Sequence, residues 1–352
     1  MTSAAIVIGC AAWTKDRDGR KRDLLPSGHY DGKRFFNPAL PANSLPKFRD
    51  AFRMMGDERA KWPAWVENTT TPNLPASVPT NQIALTFVNH ATFLIQFDGL
   101  NILTDPIWSK RASPVRWAGP KRVRAPGIAF EDLPKIDLIL ISHNHYDHLD
   151  LDTLKRLHKK FAPKILVPIG DRTLVKSAGY KDIVELDWWE SVDIEPGVAV
   201  TFAPAQHQAN RGVFDRQSSL WGSYLVKAGE KKIYFGGDTG YSPHFAEIKA
   251  RLGSPDLALL GIGSYEPRWF MKGIHMNPAE AVLAHRDLGA RHSVGMHYGT
   301  FQLSAEPIDQ PPKDLLTALT DAGVPEADFI TLNEGQTRIY GPRSETSVGI
   351  QP

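Results

Sequence analysis

The stretch of residues 142–148 constrains this chain most, because it places three histidines and an aspartate within six residues. The four side chains are His143, His145, Asp147 and His148. Residues 136–141 directly before them are rich in Ile and Leu, which predicts a buried strand. Apolar residues recur at helical spacing in residues 151–161, and Asp150 is suited to begin that helix. The stretch is therefore predicted to be a rigid strand-to-helix loop.

Neutral imidazole and carboxylate are the ligands preferred by zinc and its first-row neighbours. The loop is therefore interpreted as half of a two-metal site, the alternative being unrelated surface or core histidines. Three later predicted strands also end in a candidate ligand. Residues 198–202 lead to His207, residues 232–235 lead to Asp238, and residues 292–296 lead to His297. Seven such side chains suffice for two metal ions, and the glycines around Asp238 favour a sharp turn that aims its carboxylate inwards.

The strand pattern itself predicts a mixed α/β chain. Residues 83–106 alternate in hydrophobicity around an Asp98-Gly99 turn, which is typical of paired strands. Asn277, Pro278 and Glu280 predict the start of a helix that ends near Gly289. Asp105 lies just beyond a strand, where it is expected either to accept a hydrogen bond from a metal-bound histidine or to cap the turn at Pro106.

The N-terminal part is rich in proline, which interrupts long regular elements. We predict an arm over residues 1–80 that packs on a hydrolase domain over residues 81–345. Residues 48–55, Trp62 and Trp65 are expected to dock inwards on that domain, with a lipid interface as the alternative. An apolar run ending in Gly9-Cys10 resembles a lipoprotein cleavage site but lacks a positive leading region. Cys10 is thus either a lipidated anchor or an ordinary buried thiol.

Charge composition argues against nucleic acid as a partner, because 41 Lys and Arg balance 39 Asp and Glu. No segment approaches the roughly 20 apolar residues that span a bilayer, and a single cysteine cannot form an internal disulfide. Charge is nevertheless concentrated locally. Residues 110–124 contain six basic residues, among them Arg116, Arg122 and Arg124, and we interpret them either as a solvated loop or as a site for a phosphate or an anionic lipid headgroup.

These ligands, in type, order and spacing, resemble those of the metallo-β-lactamase superfamily. Within it, the chain resembles the N-acyl-phosphatidylethanolamine-hydrolysing phospholipase D family from about Phe35 to the C-terminus. The similar motifs are residues 104–106, 111–114, 119–122, 185–190, 220–223, 237–241 and 266–271.

The resemblance implies an αβ/βα sandwich of two mixed β-sheets flanked by helices. It also implies two zinc ions per chain, with Mn²⁺ or Fe²⁺ left open because nitrogen and oxygen sites overlap in affinity. By the same resemblance, His143, His145 and His207 hold one zinc, Asp147, His148 and His297 hold the other, and Asp238 bridges them. His275 matches a histidine near the substrate phosphate, but Ile274 precedes it where the family pattern has glutamine.

The activity implied is hydrolysis of N-acyl-phosphatidylethanolamine to N-acylethanolamine and phosphatidic acid. His275 or Tyr146 is expected to protonate the leaving group, and Asp147 acts as a metal ligand at the catalytic centre. The candidates for substrate or phosphate contacts are Arg116, Arg122, Arg124, Trp188, Glu266 and Arg268. The alternatives are another hydrolase of the same fold, such as a lactonase or other phosphodiesterase, and a non-catalytic membrane-associated protein with a structural metal site.

The expected partner is a phospholipid substrate at a membrane surface, with a homodimer as a further possibility and no nucleic acid. The expected location is cytoplasmic or peripheral to the membrane, or membrane-anchored if Cys10 is lipidated.

Overall fold

The computed structural model of the protein describes residues 25–41, 50, 53, 56, 58–212 and 215–341. Cys10 and most of residues 48–55 lie outside the described residues, so the predictions about lipidation and about that segment stay predictions. Two seven-stranded β-sheets form the centre of the described part.

In the first sheet, three antiparallel strand pairings are followed by three parallel ones. Its strands are β1 (Ile83–Asn89), β2 (Thr92–Phe97), β3 (Leu100–Thr104), β4 (Leu138–Leu140), β5 (Lys164–Pro168), β6 (Ile183–Leu186) and the C-terminal β14 (Thr337–Tyr340). Their order is β14-β1-β2-β3-β4-β5-β6. The predicted paired strands and the turn at Asp98 and Gly99 are confirmed, since both residues have positive φ and β2 pairs antiparallel with β3.

The second sheet repeats this plan. Its strands are β7 (Ser191–Glu195), β8 (Val198–Ala203), β9 (Ser223–Ala228), β10 (Lys231–Phe235), β11 (Leu257–Gly261), β12 (His292–Met296) and β13 (Phe329–Ile330). Strands β7 to β10 pair antiparallel, and β10 to β13 pair parallel. Strands β8, β10 and β12 therefore point the same way, and the residues that follow them meet at one edge of the sheet.

The described ranges contain six α-helices, five of which pack against the outer faces of the sheets. They are α1 (Leu151–Phe161), α2 (Arg172–Ser177), α3 (His244–Leu252), α4 (Arg268–Met271), α5 (Pro278–Leu288) and α6 (Gln310–Ala322), with a short 3₁₀ helix at Phe130–Asp132. The predicted starts of two helices are confirmed: the Asp150 side chain caps α1, and Asn277 and Glu280 form a capping box on α5. None of the helices described here is long and apolar enough to cross a bilayer.

Three apolar cores hold these layers together. The central core lies between the two sheets and joins residues such as Phe93 of the first sheet to Phe202 and Leu259 of the second. A second core packs α1 against the first sheet, and a third packs α3, α5 and α6 against the second. This helix–sheet–sheet–helix order confirms the expected αβ/βα sandwich.

The described part of the N-terminal arm contacts this core. Phe35 is only 1% exposed and belongs to the central core, and the Trp62 indole donates to the Glu306 carbonyl. Trp65, in contrast, is 45% exposed and donates to Glu67, so it does not dock inwards as expected. The domain boundary at residue 80 stays a prediction.

Candidate metal centre

One group of candidate ligands brings together His143, His145, His207 and Asp238, whose ligand atoms lie within 4.8 Å of one another. His145 Nδ1 is 2.9 Å from His143 Nε2 and 3.3 Å from His207 Nε2. Asp238 Oδ2 lies 3.7 Å from the Nε2 atoms of both His143 and His207. Three imidazole nitrogens thus converge with one carboxylate, an arrangement that could hold a metal ion.

A second group lies beside the first and consists of His90, Asp147, His148 and His297. Asp147 Oδ2 is 3.4 Å from the Nε2 atoms of both His148 and His297. Asp238 Oδ2 also reaches this group, at 3.1 Å from His148 Nε2 and 3.2 Å from His297 Nε2. The Asp238 carboxylate therefore lies between the two groups, and all seven predicted ligands converge in one centre.

Several buried polar atoms of this centre have no hydrogen-bond partner in the described part of the chain and are suited to bind a cation. Asp238 Oδ1, His148 Nε2 and His297 Nε2 are buried and make no hydrogen bond of good geometry within the described residues. Leaving buried polar atoms without a partner destabilises a fold by about 1–3 kcal/mol each. A bound metal ion would satisfy all three atoms at once, so the residues present fit the metal that the ligand pattern implies.

The ring nitrogens that point away from the centre are held by hydrogen bonds. The pairs are His143 Nδ1 with Ser142 Oγ (2.9 Å), His145 Nε2 with Asn210 Oδ1 (3.1 Å), His148 Nδ1 with Asp105 Oδ2 (2.6 Å) and His207 Nδ1 with the Ile274 carbonyl (2.9 Å). Such contacts fix the ring orientation and present the other nitrogen to the metal. The expectation that Asp105 accepts a hydrogen bond from a candidate ligand is confirmed.

Electrostatics differ between the two groups. Burial lowers the pKa values of His143 and His207 well below the usual value, so both rings are neutral at pH 7. Burial acts in the same direction on His297, but the Asp238 charge and the contacts with both carboxylates outweigh it and raise the pKa of His297 to about 9. Asp238 itself keeps a pKa well below its usual value, because the neighbouring imidazoles outweigh its burial. In the absence of metal the second group therefore holds a proton that a cation would displace.

A family model described as the beta-lactamase superfamily domain matches residues 100–298. The chain belongs to this superfamily. The matched segment contains all seven predicted ligands, and it ends one residue after His297. The predicted membership of the metallo-β-lactamase superfamily is confirmed.

Similar proteins agree with this assignment. The chain is 40% identical over 264 residues to N-acyl-phosphatidylethanolamine-hydrolyzing phospholipase D 1 of Caenorhabditis elegans, which covers 71% of this chain and 74% of that protein. It is 36% identical over 262 residues to the mitochondrial N-acyl-phosphatidylethanolamine-hydrolyzing phospholipase D of Saccharomyces cerevisiae, which covers 71% of this chain but 56% of that protein. These similarities confirm the resemblance to that family.

Solved structures show the same fold. Igni18, a metallo hydrolase from Ignicoccus hospitalis, superposes with a TM-score of 0.57 at 23% identity and covers 74% of this chain and 100% of that one. A possible metal-dependent hydrolase from Veillonella parvula superposes with a TM-score of 0.60 at 17% identity and covers 74% and 99%. Together with the superfamily match and the ligand cluster, this fold identifies the protein as a metal-dependent hydrolase of the metallo-β-lactamase type.

His90 is a member of the centre that the sequence prediction missed. It follows β1 directly, and its Nε2 lies 2.9 Å from Asp147 Oδ2, where the imidazole N–H donates to the carboxylate. Its ring lies 4.0 Å from the His297 ring, and its carbonyl accepts the His297 backbone N–H. Strand β1 points the same way as β3 and β4, so the rule that placed ligands at strand ends also applied to His90.

The sequence prediction also missed Asn37 and Asn210. Asn37 lies far from the ligands in sequence, and Asn210 lies on a loop without a periodic pattern. The Asn37 amide donates to the His207 carbonyl at 2.7 Å and accepts from the His207 N–H at 3.2 Å. An asparagine from the N-terminal arm therefore supports a candidate metal ligand.

His275 lies beside the centre, whereas its predicted place near a substrate phosphate stays a prediction. Its Nδ1 is 3.9 Å from Asp238 Oδ2, and its ring is 5.1 Å from the rings of His207 and His297. Arg268 supports this segment by donating to the His275 carbonyl at 3.1 Å and to Glu280 at 2.6 Å. Arg268 therefore supports the backbone of His275, and its contact with substrate stays a prediction.

The other substrate candidates have mostly internal partners. Arg122 is 4% exposed and donates to the carbonyls of Ile107 and Ser109, while Arg124 pairs with Glu334 at 2.6 Å. Three further pairs involve Trp188 Nε1 with the Trp221 carbonyl (2.7 Å), Glu266 Oε2 with the Arg268 N–H (2.9 Å) and Tyr146 OH with the Arg211 carbonyl (3.0 Å). The Arg116 side chain is 89% exposed and bonds to Asp152 at 2.7 Å. Substrate contacts by these residues stay predictions, and the structure favours the exposed Arg116 over Arg122 and Arg124, which have internal partners.

Proposed function

We propose that the protein is a phosphodiesterase of the phospholipase D type that hydrolyses N-acyl-phosphatidylethanolamine to N-acylethanolamine and phosphatidic acid. The observation that carries the proposal is the placement of the Asp238 carboxylate between two groups of converging imidazoles. Two relatives whose names state this activity share 36–40% identity with the chain. A paired site of this kind suits the cleavage of a phosphodiester, whose reacting oxygens carry charge on both sides of phosphorus.

Two zinc ions are the proposed cofactors, because the donor set consists of five imidazoles and two carboxylates. His143, His145 and His207 would hold one ion and Asp147, His148 and His297 the other, with Asp238 shared; Mn²⁺ and Fe²⁺ are the alternatives. When bound, a pair of such cations lowers the pKa of water and neutralises charge that develops on a phosphoryl group.

His275 is proposed as a hydrogen-bond donor to the phosphoryl oxygen. Burial lowers the pKa of His275 to about 3, so the ring is neutral at pH 7 and keeps one N–H to donate. A histidine acts as a general acid only when its ring is protonated. Because the His275 ring is neutral, it is unsuited to protonate the leaving alkoxide. Tyr146 is then the remaining predicted candidate, although its hydroxyl donates to the Arg211 carbonyl in this structure.

Product analysis tests the assignment. The purified protein, loaded with zinc, is incubated in ¹⁸O-labelled water with N-acyl-phosphatidylethanolamine, and separately with lactones and β-lactams. We expect N-acylethanolamine and phosphatidic acid, with ¹⁸O in the phosphatidic acid because water attacks phosphorus. Release of diacylglycerol with a phosphorylated headgroup, or turnover of lactones alone, would overturn the substrate assignment. Full metal loading with no turnover of any substrate would favour a non-catalytic protein.

A variant at His275 tests its role separately. We expect His275→Phe to lower the rate about a hundredfold without changing the metal content, since removal of a donor to developing charge has an effect of this order. His275→Gln retains an N–H donor and is expected to recover part of the rate. His292→Gln, on a half-buried histidine at the start of β12, is the matched control.

A further inference from the structure

Residues 110–124, called here the basic loop, form a hairpin-like projection after β3. Arg111 and Lys121 face each other in an isolated antiparallel bridge. The Ala112 N–H donates to the Pro120 carbonyl at 3.0 Å, and the Arg122 N–H donates to the Lys110 carbonyl at 3.0 Å. The two arms of the loop are thus tied together, so its tip has a defined position.

The base of the loop is anchored in the protein. The Arg122 guanidinium is buried, donates to the carbonyls of Ser109 and Ile107 at 2.9 and 3.0 Å, and lies 5.3 Å from the Phe301 ring centre. Arg122 also pairs with Phe301 through a backbone bridge. The projection is therefore fixed relative to the metal centre, because Phe301 lies four residues after His297.

Trp117 lies at the tip of the loop and is 80% exposed, compared with 45% for Trp65 and 47% for Trp269. Exposure of a whole indole to water is unfavourable, and tryptophan is enriched at the interface between water and lipid. The loop contains six basic residues and no acidic one. Its outermost ion pair, between Arg116 and Asp152, is exposed and therefore weak.

A cleft of about 1000 Å³ separates the basic loop from α1. Six basic residues and two aspartates line it, so its formal charge is about +4 at neutral pH. Its apolar lining includes Trp108, Leu149 and Leu151, and Tyr146 contributes to its wall. Tyr146 lies between the candidate ligands His145 and Asp147 in the sequence, so the loop that carries these ligands contributes to the wall of the cleft.

We propose that the basic loop docks on an anionic lipid bilayer, with Trp117 entering the interfacial layer while Lys110, Arg116 and Lys121 contact the headgroups. Charge complementarity favours an anionic surface, and the exposed indole favours a bilayer over a soluble polyanion. A lipid that leaves the bilayer at this point faces the cleft that leads to Tyr146. That a lipid substrate enters the cleft from the bilayer rests on the proposed function, whereas the docking of the basic loop on the bilayer does not.

Vesicle binding tests the docking surface. The full-length protein is sedimented with vesicles of phosphatidylcholine alone or with 30% phosphatidylglycerol, at low and high salt. We expect the triple variant Lys110→Gln, Arg116→Gln, Lys121→Gln to lose about a hundredfold in affinity for the anionic vesicles at low salt, since each basic residue contributes roughly fivefold. The matched control is the triple variant Lys227→Gln, Lys249→Gln, Lys313→Gln, which removes three exposed charges elsewhere. Of these, Lys313 forms an exposed ion pair with Asp309, as Arg116 does with Asp152.

The indole is tested on its own. We expect Trp117→Ser to weaken binding severalfold, and bromine-labelled acyl chains to quench a fluorescence component that disappears in Trp117→Phe but remains in Trp65→Phe. Equal losses in the triple variant and its control would overturn the proposal. So would loop-dependent binding to heparin or DNA that exceeds binding to vesicles and ignores Trp117. Loop-dependent vesicle binding without any phosphodiester cleavage would support the docking surface and contradict the proposed function.

Discussion

His90 Nε2 lies 2.9 Å from Asp147 Oδ2, although the two residues are 57 positions apart in the chain. Both side chains are buried, and the same Asp147 oxygen is 3.4 Å from His148 Nε2 and His297 Nε2. His90 therefore fixes the position of the Asp147 carboxylate, which is a candidate metal ligand. Hydrogen-bond partners of metal ligands usually affect metal affinity by 10- to 100-fold.

His90→Phe is the first prediction. Phenylalanine keeps the ring volume but removes the nitrogen, so we expect about a tenfold to hundredfold lower affinity for one of two metal ions, with the other unchanged. Titration with a fluorescent chelator measures both affinities. His90→Gln restores an N–H near Asp147 and is expected to regain part of the affinity. Equal affinities in the wild type and His90→Phe would show that His90 only fills space.

Asp238→Asn is expected to weaken the binding of both metal ions, because the amide lacks the negative charge that the two ligand groups share. Elemental analysis after gel filtration should give two ions per wild-type chain and fewer than one for the variant. Asp193→Asn, on an exposed position of β7, serves as the control and should keep both ions. Wild-type protein with one ion or none would contradict the two-metal proposal.

Metal binding should depend on pH through His297. The metal-free protein holds this ring protonated below its pKa of about 9, so a bound cation has to displace a proton and the apparent affinity rises with pH up to about 9. The increase is about tenfold per pH unit for each proton displaced. Calorimetric titrations with zinc at pH 7, in two buffers of different ionisation enthalpy, count the released protons. Release of none would contradict the raised pKa.

The same group affects the stability of the metal-free protein with the opposite sign. Because its folded pKa is raised, protonated His297 contributes fully to the free energy of unfolding below about pH 6.5, and the contribution is lost as the pH rises through about 9. Chemical denaturation of metal-free protein at pH 6 and pH 9.5 measures this loss, and His297→Gln should reduce the difference.

Gly237→Ala tests the turn that aims Asp238. Gly237 has φ +56°, and a Cβ there would lie 2.6 Å from Ser142 Cβ, next to the hydroxyl that bonds to Asp105 and His143. We expect a loss of about 2–4 kcal/mol in the free energy of unfolding, from left-handed strain and the clash together, and a lower metal content. Gly229 has φ +54° and open space around it, so Gly229→Ala should lose only about 1 kcal/mol. Equal losses of unfolding free energy in the two variants would show that the clash with Ser142 does not contribute.

Local sequence determined much of this protein. The strand before His143, the helix capped by Asp150 and the capping box of Asn277 follow from periodicity and short-range hydrogen bonds, which act over a few residues and are visible in the chain. Because strands that run in one direction end at one edge of a sheet, the ligands at their ends could also be predicted to meet, and they do.

Only the tertiary structure decided which distant residues support these ligands. Asn37 reaches His207 across 170 positions, and His90 reaches Asp147 from the turn between β1 and β2. Arg122 and Arg116 have the same charge within one loop, yet one is buried against carbonyls and the other is exposed. Such differences depend on the packing of the two sheets and on how the desolvation of each side chain is balanced by its partners, and neither quantity can be read from local spacing.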